Sequence, residues 1–419
     1  MIEIFKALET YNFWGEGPEN LGLVRSEYLN SLTRSVGNRL IKVVIGQRRT
    51  GKSYILRQLM NALISHHQVN PKNIFYLNKE LIGFDAIRTY TDLKALINLY
   101  ETKLKISGKV YIFLDEIQEI QGWERIVNSL SQDHKKSYEV FISGSNSNLL
   151  SGELATHLSG RYVAFEILPF SFKEYCLATQ QDAGKSAYIR YLQSGGLPEL
   201  FHLSESEIRQ HYVMSLYNTL ILKDVVERHK IKDIYLLERI FKYLADNIGN
   251  LFSINRIVDT LNSNKIKTNF ETVSNYTRYL LQCFLFHEVE RYDLKGKTIL
   301  SSTKKYYLND LAFKNYFASS FDEGLSKHLE NTIYLHFKRQ GYQLFVGKIG
   351  DREVDFIAEK GPDKLYIQVA FSLTDPNVTT REFGVLEKIQ DNYEKIVISL
   401  DDFSMGNRHG IRHQLAWEL

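Results

Sequence analysis

The sequence predicts an α/β protein of several domains: a parallel sheet near its start, a helical stretch, a winged helix, and a second α/β domain. Three observations carry that expectation. A β-branched run, residues 40 to 45, leads into Gly46-Gln47-Arg48-Arg49-Thr50-Gly51-Lys52-Ser53 and then into a helical pattern of Tyr54, Ile55, Leu56 and Leu59. A continuous apolar run, Val110 to Leu114, reads as a buried parallel strand and ends in Asp115-Glu116. From Ile234 three short helical patterns precede a strand pair, and from Leu325 a helix is followed by further strands.

Length and composition agree with that division. At about 150 residues per domain, 419 residues are too many for one core. Hydrophobic residues at 44% and charged residues at 24% match ordinary globular usage, which excludes fibrous and disordered classes. Cys176 and Cys283 stand far apart without CxxC or Cys/His spacing, so a disulfide framework and a structural zinc site are excluded, and a reducing cytosol is expected. The start MIEIFKALETYNFWGEG carries acidic residues and no long apolar run, so neither a signal peptide nor a spanning helix is expected. A cytoplasmic location with no membrane partner is expected. Net charge is +3, yet between Arg228 and Lys305 there are 14 Lys/Arg against 8 Asp/Glu, a local +6 that suits a phosphate-rich partner.

The stretch from Gly46 to Ser53 is GxxxxGK[ST] between a strand and a helix, the context that a P-loop requires. Its glycines let the loop wrap phosphates, with Gln47, Arg48, Arg49, Thr50 and Gly51 offering backbone N–H groups. Lys52 reaches the β/γ oxygens. Ser53 and Asp115 are the expected magnesium ligands, and Glu116 is expected to polarise the attacking water. ATP and Mg2+ are therefore the expected cofactors.

A third strand pattern, YEVFISGSNS from Tyr138, ends in Ser143, Gly144, Ser145 and Asn146. Here the chain resembles the AAA-type ATPases, whose sensor residue sits at the tip of the strand beside the carboxylate strand. Ser145 or Asn146 occupies the matching place. Arg161, just ahead of the next strand, stands where those proteins carry an arginine finger, and that resemblance implies a homo-oligomer engaged through Arg161. Further on, GQRRTGKS, LDEIQ with Trp123, SGSNSNLLSGELATHLSGRY, LPFSFKEY and GGLPEL follow the order of a bacterial and archaeal AAA-type family with a C-terminal domain of unassigned function. The resemblance covers nearly the whole chain and implies an AAA-type P-loop core over residues 1–170, followed by a helical lid over 171–229.

Residues 230–310 follow a winged-helix order. The third helix is expected to turn Phe270, Val273, Thr277, Leu280 and Leu281 inward and Glu271, Thr272, Asn275 and Arg278 outward. Lys295, Lys297, Lys304 and Lys305 are expected on the wing beside DNA phosphates. Residues 320–419 resemble the PD-(D/E)XK nuclease fold, with Glu330 and Asp355 at two of its acid positions, paired to Arg352 or Lys348 if not used. The third position departs: Gln368-Val369-Ala370 replaces acid-x-Lys, so the domain is expected to be degenerate, Glu353 being the nearest migrated carboxylate. The expected function is an ATP-hydrolysing switch whose nucleotide state controls DNA engagement through residues 230–310. An ATP-gated nuclease and a nucleotide-sensing protein-interaction scaffold are the alternatives.

Overall fold

Alternating apolar strands and helices build a five-stranded parallel sheet from β1 (Ile41–Ile45), β2 (Ile74–Asn78), β3 (Val110–Asp115), β4 (Tyr138–Gly144) and β5 (Tyr162–Glu166). In the computed structural model, which describes residues 2–419 apart from 16, 18, 19, 151–159 and 318–323, the chain forms two units, Met1–Ile167 and Leu168–Leu419. The first is the expected α/β parallel sheet. Its spatial order, β2-β3-β4-β1-β5, sets Ile45 beside Gly144 and Leu114 beside Ile142. Residues far apart in the chain thus leave the sheet side by side at the carboxyl ends of β1, β3 and β4, where open α/β sheets form their crevices.

Every residue of β1 is buried, as expected of a strand with helices on both faces. The helix Lys52–Ser65 lays Ile55, Leu56, Leu59, Met60 and Leu63 onto a core shared with Val44, Phe113 and Phe141. Each such side chain contributes about 1.5–3 kcal/mol of burial, which anchors the loop ahead of it. Arg161 is exposed, and its carbonyl accepts from Ile41 N–H at the start of β1. It therefore lies at the opposite end of the sheet from Gly46, about 15 Å away at 3.3 Å per strand residue.

In the second unit, β6 (Phe286–Asp293), β7 (Thr298–Leu308), β8 (Gln343–Ile349), β9 (Arg352–Lys360), β10 (Asp363–Ala370), β11 (Glu394–Ser399), β12 (Asn407–Arg408) and β13 (Ile411–Leu415) form one mixed sheet ordered β12-β13-β11-β10-β9-β8-β6-β7. The strand pair expected as a wing, β6–β7, is also an edge of this sheet, because Arg291–Asp293 run parallel to Val346–Lys348. One apolar cluster joins Leu192, Val213 and Ile221 to Ile240, Leu280, Phe286, Ile333 and Ile398. The boundaries expected near residues 230 and 320 thus fall within a single core, to which residues 171–229 also contribute.

Three helices, Ile234–Asp246, Ile254–Ser263 and Phe270–Gln282, begin at side-chain caps from Asp233, Ser253 and Asn269. Val273, Thr277 and Leu280 are buried as expected, but Phe270 is 54% exposed and Leu281 only half-buried. Phe270 is the first helical residue after its cap, too early in the turn to reach the core. The GGLPEL turn is latched by buried Asp310, whose carboxylate accepts from Gly196 N–H and Ala312 N–H at 2.8 Å each. A side chain at Gly195, which has φ +74°, would meet that carboxylate at 2.0 Å. Among the described residues no helix is long and apolar enough to cross a membrane.

Candidate functional site

The P-loop is folded so that its first position accepts only glycine. Gly46 has φ +146°, and a Cβ there would lie 2.3 Å from the carbonyl oxygen of Ile167. Gly51, at φ +93°, sits at the start of the helix Lys52–Ser65, and exposed Arg49 adopts φ 69° between them. The Lys52 ammonium donates to the carbonyls of Gly46 at 3.1 Å and Gln47 at 3.2 Å. Thr50 Oγ1 closes the loop onto the Gln47 carbonyl at 2.9 Å, and buried Arg25 clamps it from outside by donating to the Thr50 carbonyl at 3.0 Å. Arg48 is ion-paired with Glu80.

Asp115 and Glu116 face this loop. The Asp115 carboxylate accepts from Ser143 Oγ and, at 3.1 Å, from Tyr76 Oη. Complete burial and the neighbouring Glu116 charge raise its carboxyl above the usual range, against the lowering pull of Ser143, Ser53 and Lys52. Glu116 adopts φ 53°, which turns its carboxylate toward Lys52, 3.6 Å from the ammonium. Burial works to raise Glu116, and Lys52, Gln118, Arg48 and Ser145 outweigh it, holding the carboxyl below its usual value. Glu116 is therefore ionised at neutral pH.

Lys52, Ser53, Asp115, Glu116 and Ser145 come together, with Ser145 Oγ donating to Glu116 at 3.2 Å. Asn146 is buried at the tip of the same strand. Arg161 does not join this group in its own chain. Sequence reasoning missed Ser143, whose hydroxyl bridges Asp115 and Glu116 N–H. It also missed Tyr76, Gln118 and Arg25. Ser143 belongs to the polar cluster that ends β4 and points to the right face by strand alternation, whereas Tyr76 has no local signal because only the β2–β3 pairing brings it to Asp115. A cavity of about 690 Å³ adjoins Ser53, lined by Phe13, Tyr54, Arg57 and Asn78.

The second unit holds a different constellation. Lys305, expected on the wing surface, is 1% exposed, with its ammonium 2.7 Å from Glu330, 2.6 Å from Glu353 and 3.9 Å from Asp355. Strand alternation explains the error: β7 turns Lys304 outward to pair with Glu288 and turns Lys305 inward. Burial opposes the Lys305 charge, and Glu330, Asp355 and Glu353 overcome it, holding the ammonium above its usual range. Glu330 also accepts from Tyr307 Oη and Lys327 Nζ, so its partners are not Arg352 or Lys348. Gln368 accepts from Asp355 N–H at 3.1 Å and donates to Glu382 at 2.7 Å. Among the described residues, no group of three or more His, Cys, Asp and Glu is arranged to hold a metal ion.

Comparison with known proteins agrees with the geometry of the first unit. A family described as AAA domain matches residues 38–176, and a domain of unknown function matches residues 185–324, crossing the position expected to divide helical stretch from winged helix. An uncharacterised protein of Haemophilus influenzae is 35% identical over 379 residues, covering 90% of this chain and 92% of its own. An uncharacterised protein of Methanocaldococcus jannaschii is 31% identical over 382 residues, covering 86% and 82%. The Orc1 protein of Aeropyrum pernix, solved in complex with DNA, aligns over 71% of this chain and 94% of that one at 14% identity. The TM-score of that alignment is 0.31.

Proposed function

Since the chain belongs to the family of these Haemophilus and Methanocaldococcus proteins and carries an AAA domain, we propose that it is an ATP-hydrolysing switch controlling DNA engagement through residues 230–310. The observation that carries the reading is the convergence of Lys52, Ser53, Asp115, Glu116 and Ser145 on one loop. In this reading the Lys52 ammonium exchanges the Gly46 and Gln47 carbonyls for β/γ-phosphate oxygens, and the N–H groups from Gly46 to Ser53 surround those oxygens. The Ser53 hydroxyl and the Asp115 carboxylate are the oxygen donors that would hold magnesium, which would neutralise charge developing on the phosphates. Glu116, ionised and released from Lys52, accepts a proton from the attacking water, while Ser145 orients its carboxylate. Exposed Arg161, at the far end of the sheet, suits a neighbouring protomer's site better than its own.

DNA engagement rests on the three capped helices, the β6–β7 hairpin and the local +6 between residues 228 and 305. Lys295 and Lys297 are exposed at the hairpin turn and available to phosphates, whereas Lys305 is not. The closed acid cluster and the missing acid-x-Lys both weigh against an ATP-gated nuclease. The test is ATP turnover measured with and without duplex DNA. Duplex-dependent turnover supports the switch, whereas turnover indifferent to duplex, with no duplex binding at low salt in any nucleotide state, overturns its DNA half.

A further inference from the structure

Between the β6–β7 turn and the β8–β9 turn of the second unit opens a groove of about 1200 Å³. That exceeds the roughly 300–1000 Å³ typical of small-molecule sites. Lys295 and Lys297 come from the first turn and Arg352 from the second, and the Lys295 ammonium lies 4.0 Å from where a side chain of Gly350 would begin. Lys364 of β10 and Lys388 complete the basic lining. Of the three acids present, Glu387 is bound to His409 at 3.0 Å, and Asp391 is bound to Tyr366 Oη at 2.6 Å and lies 3.6 Å from Lys395. Asp351 is exposed at the second turn. Lys295, Lys297, Arg352 and Lys388 make no ion pair among the described residues, so the groove keeps an excess of unneutralised cations.

Aromatic rings stand among these charges. Tyr393 is 47% exposed and Tyr292 half-buried. The Lys364 ammonium lies between them, 5.8 Å from the Tyr292 ring and 5.5 Å from the Tyr393 ring. Cations that track a backbone, interleaved with an open π face, suit a strand whose bases are unstacked, because a duplex keeps its base faces covered.

We propose that this groove binds single-stranded nucleic acid, with phosphates against Lys295, Lys297, Arg352 and Lys388 and a base stacked on Tyr393. The proposal deepens the DNA-engagement reading and rests on it. Using the full chain, fluorescence anisotropy is read with labelled dT12, labelled rU12 and a 12-base-pair duplex across a salt series. At least one single strand binds at least ten-fold tighter than the duplex, and the tighter of the two identifies the sugar. Tyr393→Ala weakens that binding about ten-fold without changing the salt slope, and Tyr393→Phe retains it. Replacing Lys295 and Lys297 by Ala lowers the single-strand slope by about 1.4, or 0.7 for each phosphate no longer neutralised. Far-UV circular dichroism of each variant checks that it is folded. Duplex bound as tightly as either strand, or Tyr393→Ala without effect, overturns the groove assignment while leaving DNA engagement standing. No binding of any of the three probes overturns both.

Discussion

Lys52 of the first unit and Lys305 of the second are both buried beside carboxylates, and the two lysines are held by different kinds of partner. Lys52 donates to two main-chain carbonyls and stands 3.6 Å from Glu116, so its partners are dipoles and one loosely held charge. Lys305 is ion-paired with carboxylates on two separate elements, the helix Leu325–Arg339 and β9, with a third carboxylate 3.9 Å away. An ammonium on carbonyls gives them up to a stronger anion at small cost. One saturated by carboxylates has no reason to move, because leaving would strand several buried charges. The same residue type is thus placed for exchange at Lys52 and for cohesion at Lys305.

The largest expected effect tests the exchangeable lysine. Lys52→Ala abolishes ATP binding, whereas Glu116→Gln preserves it and lowers turnover by about 10²-fold or more, read by nucleotide titration and phosphate release. Equal loss of binding in both variants breaks the assignment of roles. Next comes cohesion. Lys305→Met removes the counter-charge shared by all three carboxylates and costs about 3–5 kcal/mol, whereas Lys52→Met costs about 1 kcal/mol. Urea unfolding checks this, with Lys305→Met read in a Trp14→Phe, Trp123→Phe background where Trp417 reports on the second unit, and Lys52→Met in a Trp417→Phe background where Trp14 and Trp123 report on the first. Equal costs for the two lysines erase the contrast.

A smaller effect separates cohesion by charge from cohesion by a buried neutral acid. Burial pushes the Asp310 carboxyl up to about 7, against three backbone donors that pull it down. A folded value above the unfolded one means that the native state holds the extra proton. The stabilisation is complete below the unfolded value near 4 and is lost as pH rises toward 7, at no more than about 1.4 kcal/mol per pH unit. Asp310→Asn removes this contribution, read as the difference between variant and wild type across the window, and a difference that does not change with pH contradicts it. The smallest expected effect is none: supercoiled, linear and single-stranded DNA with magnesium or manganese stay uncut, with or without ATP. Cleavage lost in Asp355→Ala but kept in Lys52→Ala would show that the Lys305 cluster opens.

The nucleotide site was legible because its chemistry is local. Gly46 to Ser53 lie on one turn, Asp115-Glu116 end one apolar run, and Ser145 follows another by a few residues, so type and spacing carry the information. Composition and periodicity likewise determined the α/β class, the first parallel sheet and the three helices after Ile234. What needed the folded chain was which distant residues meet. Tyr76 reaches Asp115 through strand pairing, and Asp310 latches Gly196 across 114 positions of sequence. Lys304 and Lys305 are adjacent and chemically identical, so sequence has no means to rank them. The pleat of β7 sends the first to solvent and the second inward, where Glu330 and Glu353, brought together by the fold, hold its charge in the core.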